Sequence, residues 1–272
     1  MIKTIKHLLR NLVLGILHKF NLVIARNDSY LNHKNRSEEF FLKTRDGYDF
    51  VFFQKLLEKK SSSVLEALKL IGESKAQLRQ DLLVLWLLNF KRDGIFIEFG
   101  ATDGIDLSNT YLLEKRFGWT GVLAEPARIW HRDLLQNRSA KIDFRAVSKE
   151  DNNNVRFFES VDARFSTYSI RENLTYSENY EVETVKLESL IEENSLPAVI
   201  DYLSIDTEGT EFEILELFNF EKYVFRVITV EYSEKISREK VINLLSSYGY
   251  KRVFEDISQF EDWFIHPNYV QF

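Results

Sequence analysis

Residues 94–126 read GIFIEFGATDGIDLSNTYLLEKRFGWTGVLAEP, and this stretch decides the fold. An apolar run closes on Glu98-Phe99-Gly100, and a loop bearing Asp103-Gly104 follows. A helix-like segment then leads to a second apolar run that closes on Glu125-Pro126. Short apolar runs alternating with helical stretches are the pattern of β-α units on a parallel sheet. In such a sheet, ligands occupy the crevice beyond the carboxyl ends of the strands, where strand order reverses. Two consecutive strand ends that each carry a carboxylate, with a glycine-bearing turn between them, mark a ligand site.

The residue types narrow the ligand. Gly100 and Gly104 let backbone come close to a bound molecule and offer N–H donors. A carboxylate at the second strand end, Glu125, suits a ribose diol because it accepts both hydroxyl protons. The loop runs Gly100-Ala101-Thr102-Asp103-Gly104, which is not the GxGxxG of a dinucleotide site. Asp103 and Asp106 would repel a pyrophosphate and favour a ligand that carries positive charge and no phosphate. S-adenosylmethionine, with its sulfonium, ammonium and adenosyl ribose, meets that description.

Working outward, strands are expected at about 95–99, 121–124, 142–147, 199–205 and 225–231. Helices are expected at about 108–117, 127–137, 187–194, 209–218 and 237–247. Residues 154–186 alternate polar and apolar and read as a small inserted β region. GYKRVFED and EDWFIHP form two closing strands. Residues 37–90 make a helical lead-in, with Ser74 a candidate cap for its last helix. The α/β domain itself spans 91–272.

The first 36 residues carry seven Lys and Arg against one acid, about +6, which leaves about −12 on the rest. MIKTIKHLLRNLVLGILHKF reads as a basic amphipathic helix, fit to lie on an anionic membrane through residues 1–20 or to pack on protein. Its uncharged run is too short to span a bilayer. An acidic body argues against nucleic acid as a partner. The absence of cysteine excludes disulfides and thiolate metal sites and suits a cytoplasmic location, at the inner membrane face if the helix binds lipid.

FIEFGATDGIDLSNTYLLEKRFGWTGVLAEP, NRS, SIDTEGTEFEIL and VITVEYS together resemble the FkbM-type methyltransferases, with AQLRQD similar to an element that precedes the first strand in many members. The resemblance covers about Gln77 to Trp263. It implies a class I methyltransferase (Rossmann-like) sheet flanked by helices, carrying an N-terminal helical extension. It also implies S-adenosylmethionine as cofactor. Glu98, Gly100, Ala101, Asp103 and Gly104 would then form the cofactor loop, and Ser108 and Asn109 would reach the methionine end. Glu125, with Pro126 beside it, would hold the ribose. Ala146 would lie against the adenine, and Gln77 and Asp81 would cover the methionine end from upstream.

Transfer to an alcohol calls for a base or a metal to handle the hydroxyl proton. Asp206 ends a buried run, and Glu208 and Glu231 are the other base candidates. Glu211 and Glu213 read as acids of a helix start and surface. Mg2+ is a secondary option, should Asp206, Glu231 and Asp262 converge. The expected activity is O-methylation of a sugar or glycan-linked hydroxyl. The competing readings are a silent scaffold of the same fold and an NAD or nucleotide-sugar oxidoreductase, the latter disfavoured by the missing glycine fingerprint.

Overall fold

The computed structural model describes residues 44–59, 63–169, 175–232 and 235–272. The basic amphipathic segment expected at 1–36 lies outside the described residues. The chain divides into a unit up to Lys55 and a unit from Leu56 to Phe272. Helix α1, Arg45–Lys59, runs across the division. No helix among the described residues is long and apolar enough to cross a membrane.

The second unit is built on a seven-stranded sheet of order β3-β2-β1-β7-β8-β10-β9. Its strands are β1 (Ile95–Phe99), β2 (Thr120–Ala124), β3 (Lys141–Asp143), β7 (Val199–Ile205), β8 (Val224–Glu231), β9 (Lys251–Val253) and β10 (Glu261–Ile265). The first five pair in parallel, and β10 runs antiparallel to β8 and to β9. The chain lays down β1, β2 and β3 outward, then returns to place β7 on the free side of β1. Strand order therefore reverses between β1 and β7, and a crevice opens there. Strands β7 and β8 are buried along most of their length, their polar residues included, as central strands covered on both faces are.

Helices α2 (Val64–Lys69), α3 (Gln80–Leu87), α4 (Tyr111–Phe117), α5 (Arg128–Asn137), α6 (Leu187–Glu193), α7 (Glu211–Glu216) and α8 (Lys235–Ser247) complete the unit. All eight residues of α3 are buried, so it packs as an internal helix and not as an amphipathic one. Helices α4 and α7 begin later than their apolar spacing predicts, at Tyr111 and Glu211, because Ser108–Thr110 and Thr207–Gly209 are drawn into loop hydrogen bonds.

The strand expected at 142–147 is two strands. β3 stays in the main sheet, whereas β4 (Ala146–Val147) pairs with β6 (Tyr176–Val185) in a separate sheet of order β4-β6-β5. The break follows from Asp143, whose Oδ1 accepts the Arg145 N–H at 2.9 Å and turns the chain out of the main sheet. β5 (Asn154–Ser160) and β6 form the expected inserted β region as an antiparallel pair.

Strand β2 carries a glycine for packing and not for turning. Gly121 lies opposite Phe96, and a Cβ there would sit 2.0 Å from the Phe96 carbonyl oxygen. Gly121→Ala is expected to push β1 and β2 apart and cost roughly 2 kcal/mol or more. Urea unfolding of the variant against the parent checks this.

Candidate active site

At the carboxyl ends of β1, β2, β7 and β8 lies a cavity of about 320 Å³. Gly100, Glu125, Asp206 and Glu231 mark the four strand tips, and all four line it. Loops supply most of the remaining wall. Three of its non-glycine residues, Thr102, Leu107 and Glu208, have left-handed backbone with φ of 47°, 60° and 60°. Such strain collects where a loop must aim groups at a ligand.

Glu98 organises the loop after β1. Its buried carboxylate accepts from the Asn109 N–H at 2.7 Å, the Ser108 hydroxyl at 3.0 Å and the Thr110 hydroxyl. Arg138, whose side chain is fully buried, neutralises it. The guanidinium lies 3.7 Å from Glu98 and 2.8 Å from Glu114, and it donates to the Gly104 carbonyl, Ser108 and Thr110. A buried arginine satisfied on all sides is what makes the buried carboxylates tolerable. Gly104 serves this network too, since a Cβ there would lie 2.5 Å from the Arg138 side chain.

The structure therefore sorts the residues singled out in the sequence. Gln77, Glu98, Gly100, Asn109, Glu125, Pro126, Ala146, Asp206, Glu208 and Glu231 line the cavity. Ala101, Asp103, Gly104 and Ser108 are placed behind its wall and shape the loop. Asp103 Oδ1 accepts the N–H groups of Ile105 and Asp106, both at 2.8 Å, and the Ala101 carbonyl accepts from Gly104. Asp81 is buried away from the cavity, where it accepts from the Ser74 hydroxyl at 2.7 Å and from the Lys75 and Leu82 N–H groups. Ser74 thus holds Asp81 and does not cap α3. Gly100 is required by the frame: its φ is +73°, and a Cβ would lie 2.3 Å from the Asp206 carbonyl oxygen.

Glu125 is buried, and each of its oxygens accepts one backbone N–H, from Thr102 and from Ala127, at 2.8 Å. Burial outweighs those two bonds and raises its pKa to about 7. Asp206, Glu208 and Glu231 come together, with one carboxylate oxygen of each within 4.8 Å of the others. Burial first, and then mutual repulsion, lifts Asp206 well above the usual carboxylate range and Glu231 to about 8. Asp262 does not join them, correcting the metal set considered above. It sits in β10, bound by Arg238 and Arg252 at 2.8 Å. Glu211 is a helix-start acid as expected, accepting from the Gly209 N–H at 2.7 Å, but it is buried. Glu213 is exposed.

Three participants escaped the sequence reading. Gln80, and not its neighbour Gln77, is the buried glutamine, and its amide donates to Glu261. Glu261 lies opposite Glu231 in the β10–β8 register, also accepts from the Trp263 indole at 2.7 Å, and lines the cavity with a pKa raised to about 7 by burial. Arg138 is the third. Its only signal was the NRS triplet, which says nothing about burial.

A doubly covered, mostly parallel sheet with a cavity at its switch point and acids at consecutive strand tips defines a class I, Rossmann-like methyltransferase. The methyltransferase FkbM domain matches residues 98–252, more than half of the chain, so the chain belongs to the FkbM methyltransferase family and is an S-adenosylmethionine-dependent methyltransferase. None of the curated proteins compared matches it. Among solved structures, it is similar to precorrin-6Y C5,15-methyltransferase from Geobacter metallireducens GS-15, at 11% identity over 63% of this chain and 71% of that one, TM-score 0.35. A fibrillarin/Nop5p complex gives 14% over 63% and 71%, TM-score 0.32. A delta-N METTL16 MTase domain gives 13% over 77% and 84%, TM-score 0.37. These three are distant, and the assignment rests on the domain match.

Because Arg138 serves two buried acids at once, Arg138→Ala is expected to destabilise the protein by roughly 3–5 kcal/mol. A chemical denaturation curve reads this, and a loss below about 1 kcal/mol would show that the network is not needed for stability.

Proposed function

We propose that the enzyme transfers the methyl group to a hydroxyl of a sugar or glycan-linked acceptor. The observation that carries this reading is the convergence of Asp206, Glu208 and Glu231 at the tips of β7 and β8, in the same cavity as Glu125. A hydroxyl must lose its proton as it is methylated, and the cluster offers acceptors for that proton.

The cavity fits the cofactor. Two buried acceptor atoms in its wall, Asn109 Oδ1 and Asp206 Oδ1, have no hydrogen-bond partner, so the site asks for a donor-rich ligand. The amide of Asn109 is held in place by its Nδ2, which donates to Ser204 Oγ at 2.9 Å. In this reading Asn109 and Asp206 receive the methionine ammonium, Glu125 the ribose hydroxyls, and Ala146 and Pro126 flank the adenine. Bound S-adenosylmethionine supplies an electrophilic methyl on a sulfonium, already activated for displacement. The chain aligns the acceptor oxygen with it, excludes water and removes the proton, with Asp206 the base. A silent scaffold has less support, because nothing scaffolding requires would keep acceptor atoms buried and unsatisfied.

Two outcomes are expected. Asp206→Asn should lower kcat by about 10²-fold or more, while calorimetry still detects S-adenosylhomocysteine; an active variant would remove the assigned base. Ribose hydroxyls favour the ionised form of Glu125, so below about pH 7 binding must expel a proton. The Glu125 proton should therefore make affinity for S-adenosylhomocysteine fall by up to about tenfold per unit as the pH drops below about 7. Glu125→Gln should bind weakly and lose that slope, and a wild-type profile flat from pH 5.5 to 8 would displace Glu125 from the ribose.

A further inference from the structure

Resting on that reading, we infer that Thr167, in the inserted β region, is a positioning residue that clamps the loop carrying Asp206. The stretch from Ala163 to Tyr168 lines the cavity residue by residue, so the insert supplies one wall of the site. That wall is anchored at Thr167. Its N–H donates to the Phe158 carbonyl at 3.1 Å, and its carbonyl accepts the Phe158 N–H at 2.8 Å, which fixes the chain against β5. Thr167 is 1% exposed, so its hydroxyl must find its partners inside the protein. The hydroxyl accepts the Ser169 N–H at 3.0 Å and lies 3.4 Å from the carbonyl oxygens of both Thr207 and Glu208. Its one proton is shared between two consecutive carbonyls of the loop after β7, which accounts for the length of both contacts.

That loop needs holding. Glu208 has left-handed backbone, φ 60°, which a non-glycine residue keeps only where its surroundings impose it. On the donor side, the Glu211 carboxylate accepts from the Gly209 N–H at 2.7 Å and the Thr207 hydroxyl at 3.2 Å. On the carbonyl side, Thr167 supplies the hydroxyl. Its neighbour Tyr168 packs against the small core of Ala127, Ala146, Phe157 and Val182, which gives the clamp a firm footing.

Asp206 stands at the root of this loop. Its Oδ1 is buried without a partner, so no hydrogen bond aims that oxygen. The backbone on either side does so instead, with strand β7 before it and the clamped loop after it. In the proposed site Asp206 meets the methionine ammonium, whereas the adenosine half rests on Glu125, Pro126 and Ala146. Loosening the loop should therefore weaken ligands that carry the ammonium and spare those that lack it. A merely structural role for Thr167 would weaken both alike.

Isothermal titration of the full chain with S-adenosylhomocysteine and with 5′-methylthioadenosine, which lacks the amino-acid portion, tests this. Thr167→Val keeps the branched shape and removes the hydroxyl. It should bind S-adenosylhomocysteine roughly fivefold more weakly, the effect of one neutral hydrogen bond. Its affinity for 5′-methylthioadenosine should stay within about twofold of wild type, which also shows the variant folded. Thr167→Ser should restore the wild-type ratio of the two affinities, and Thr167→Ala serves should the valine variant fail to fold. Asp206→Ala is the reference and should lower the ratio by about tenfold or more. An unchanged ratio in Thr167→Val, or a Thr167→Ser variant that behaves like it, would overturn the inference. If Asp206→Ala still lowers the ratio in that case, the placement of the cofactor stands and only the clamp is lost. If Asp206→Ala leaves the ratio unchanged as well, the ammonium does not lie at Asp206, and the placement and the clamp fail together.

Discussion

The contact on which the site depends is the buried meeting of Arg138 with Glu98. One guanidinium, shut off from water, neutralises the acid at the tip of β1 and ties down the Gly104 carbonyl and the Ser108 and Thr110 hydroxyls. The loop from Gly100 to Thr110 has little regular structure of its own, so its shape comes from these bonds. Asn109 is fixed through its backbone by Glu98 and through its side chain by Ser204, which leaves its carbonyl oxygen facing the cavity. A charge pair inside the protein thus does for this loop what strand pairing does for the sheet.

The rest of the site follows from where the sheet reverses. Because β7 returns to the free side of β1, Asp206 comes close to Gly100, close enough that only glycine fits. Because β10 pairs with β8, Glu261 comes opposite Glu231. Acids separated by up to 163 positions are gathered at one edge, in surroundings that desolvate them and raise their proton affinity. Anionic groups confined in this way select for positive charge, and a sulfonium cofactor meets that demand where a dinucleotide would not.

The strand tips were legible because each is an apolar run that closes on an acid before the chain turns. That pattern placed Glu98, Gly100, Glu125, Asp206 and Glu231 at the crevice. It could not say which way a loop residue points. Asp103 and Ser108 lie among cavity residues in the chain, yet they bond inward, because a short polar side chain in a turn finds its own backbone or its neighbours first. Gln77 and Gln80 look alike on paper, and only the packing of α3 decides that Gln80 is the buried one. Glu261 and Asp262 were indistinguishable for a similar reason. Alternation along β10 sends the first toward the cavity and the second to two arginines on the other side. The split of the third expected strand depended on a single side-chain bond at Asp143, which periodicity does not register.

The most direct test is a crystal structure of the enzyme with S-adenosylhomocysteine. The ribose hydroxyls should donate to Glu125, and the methionine ammonium should lie against Asn109 Oδ1 and Asp206 Oδ1, the two acceptors otherwise left bare. A nucleoside seated away from Glu125, or those two oxygens satisfied by the protein's own groups, would contradict the account.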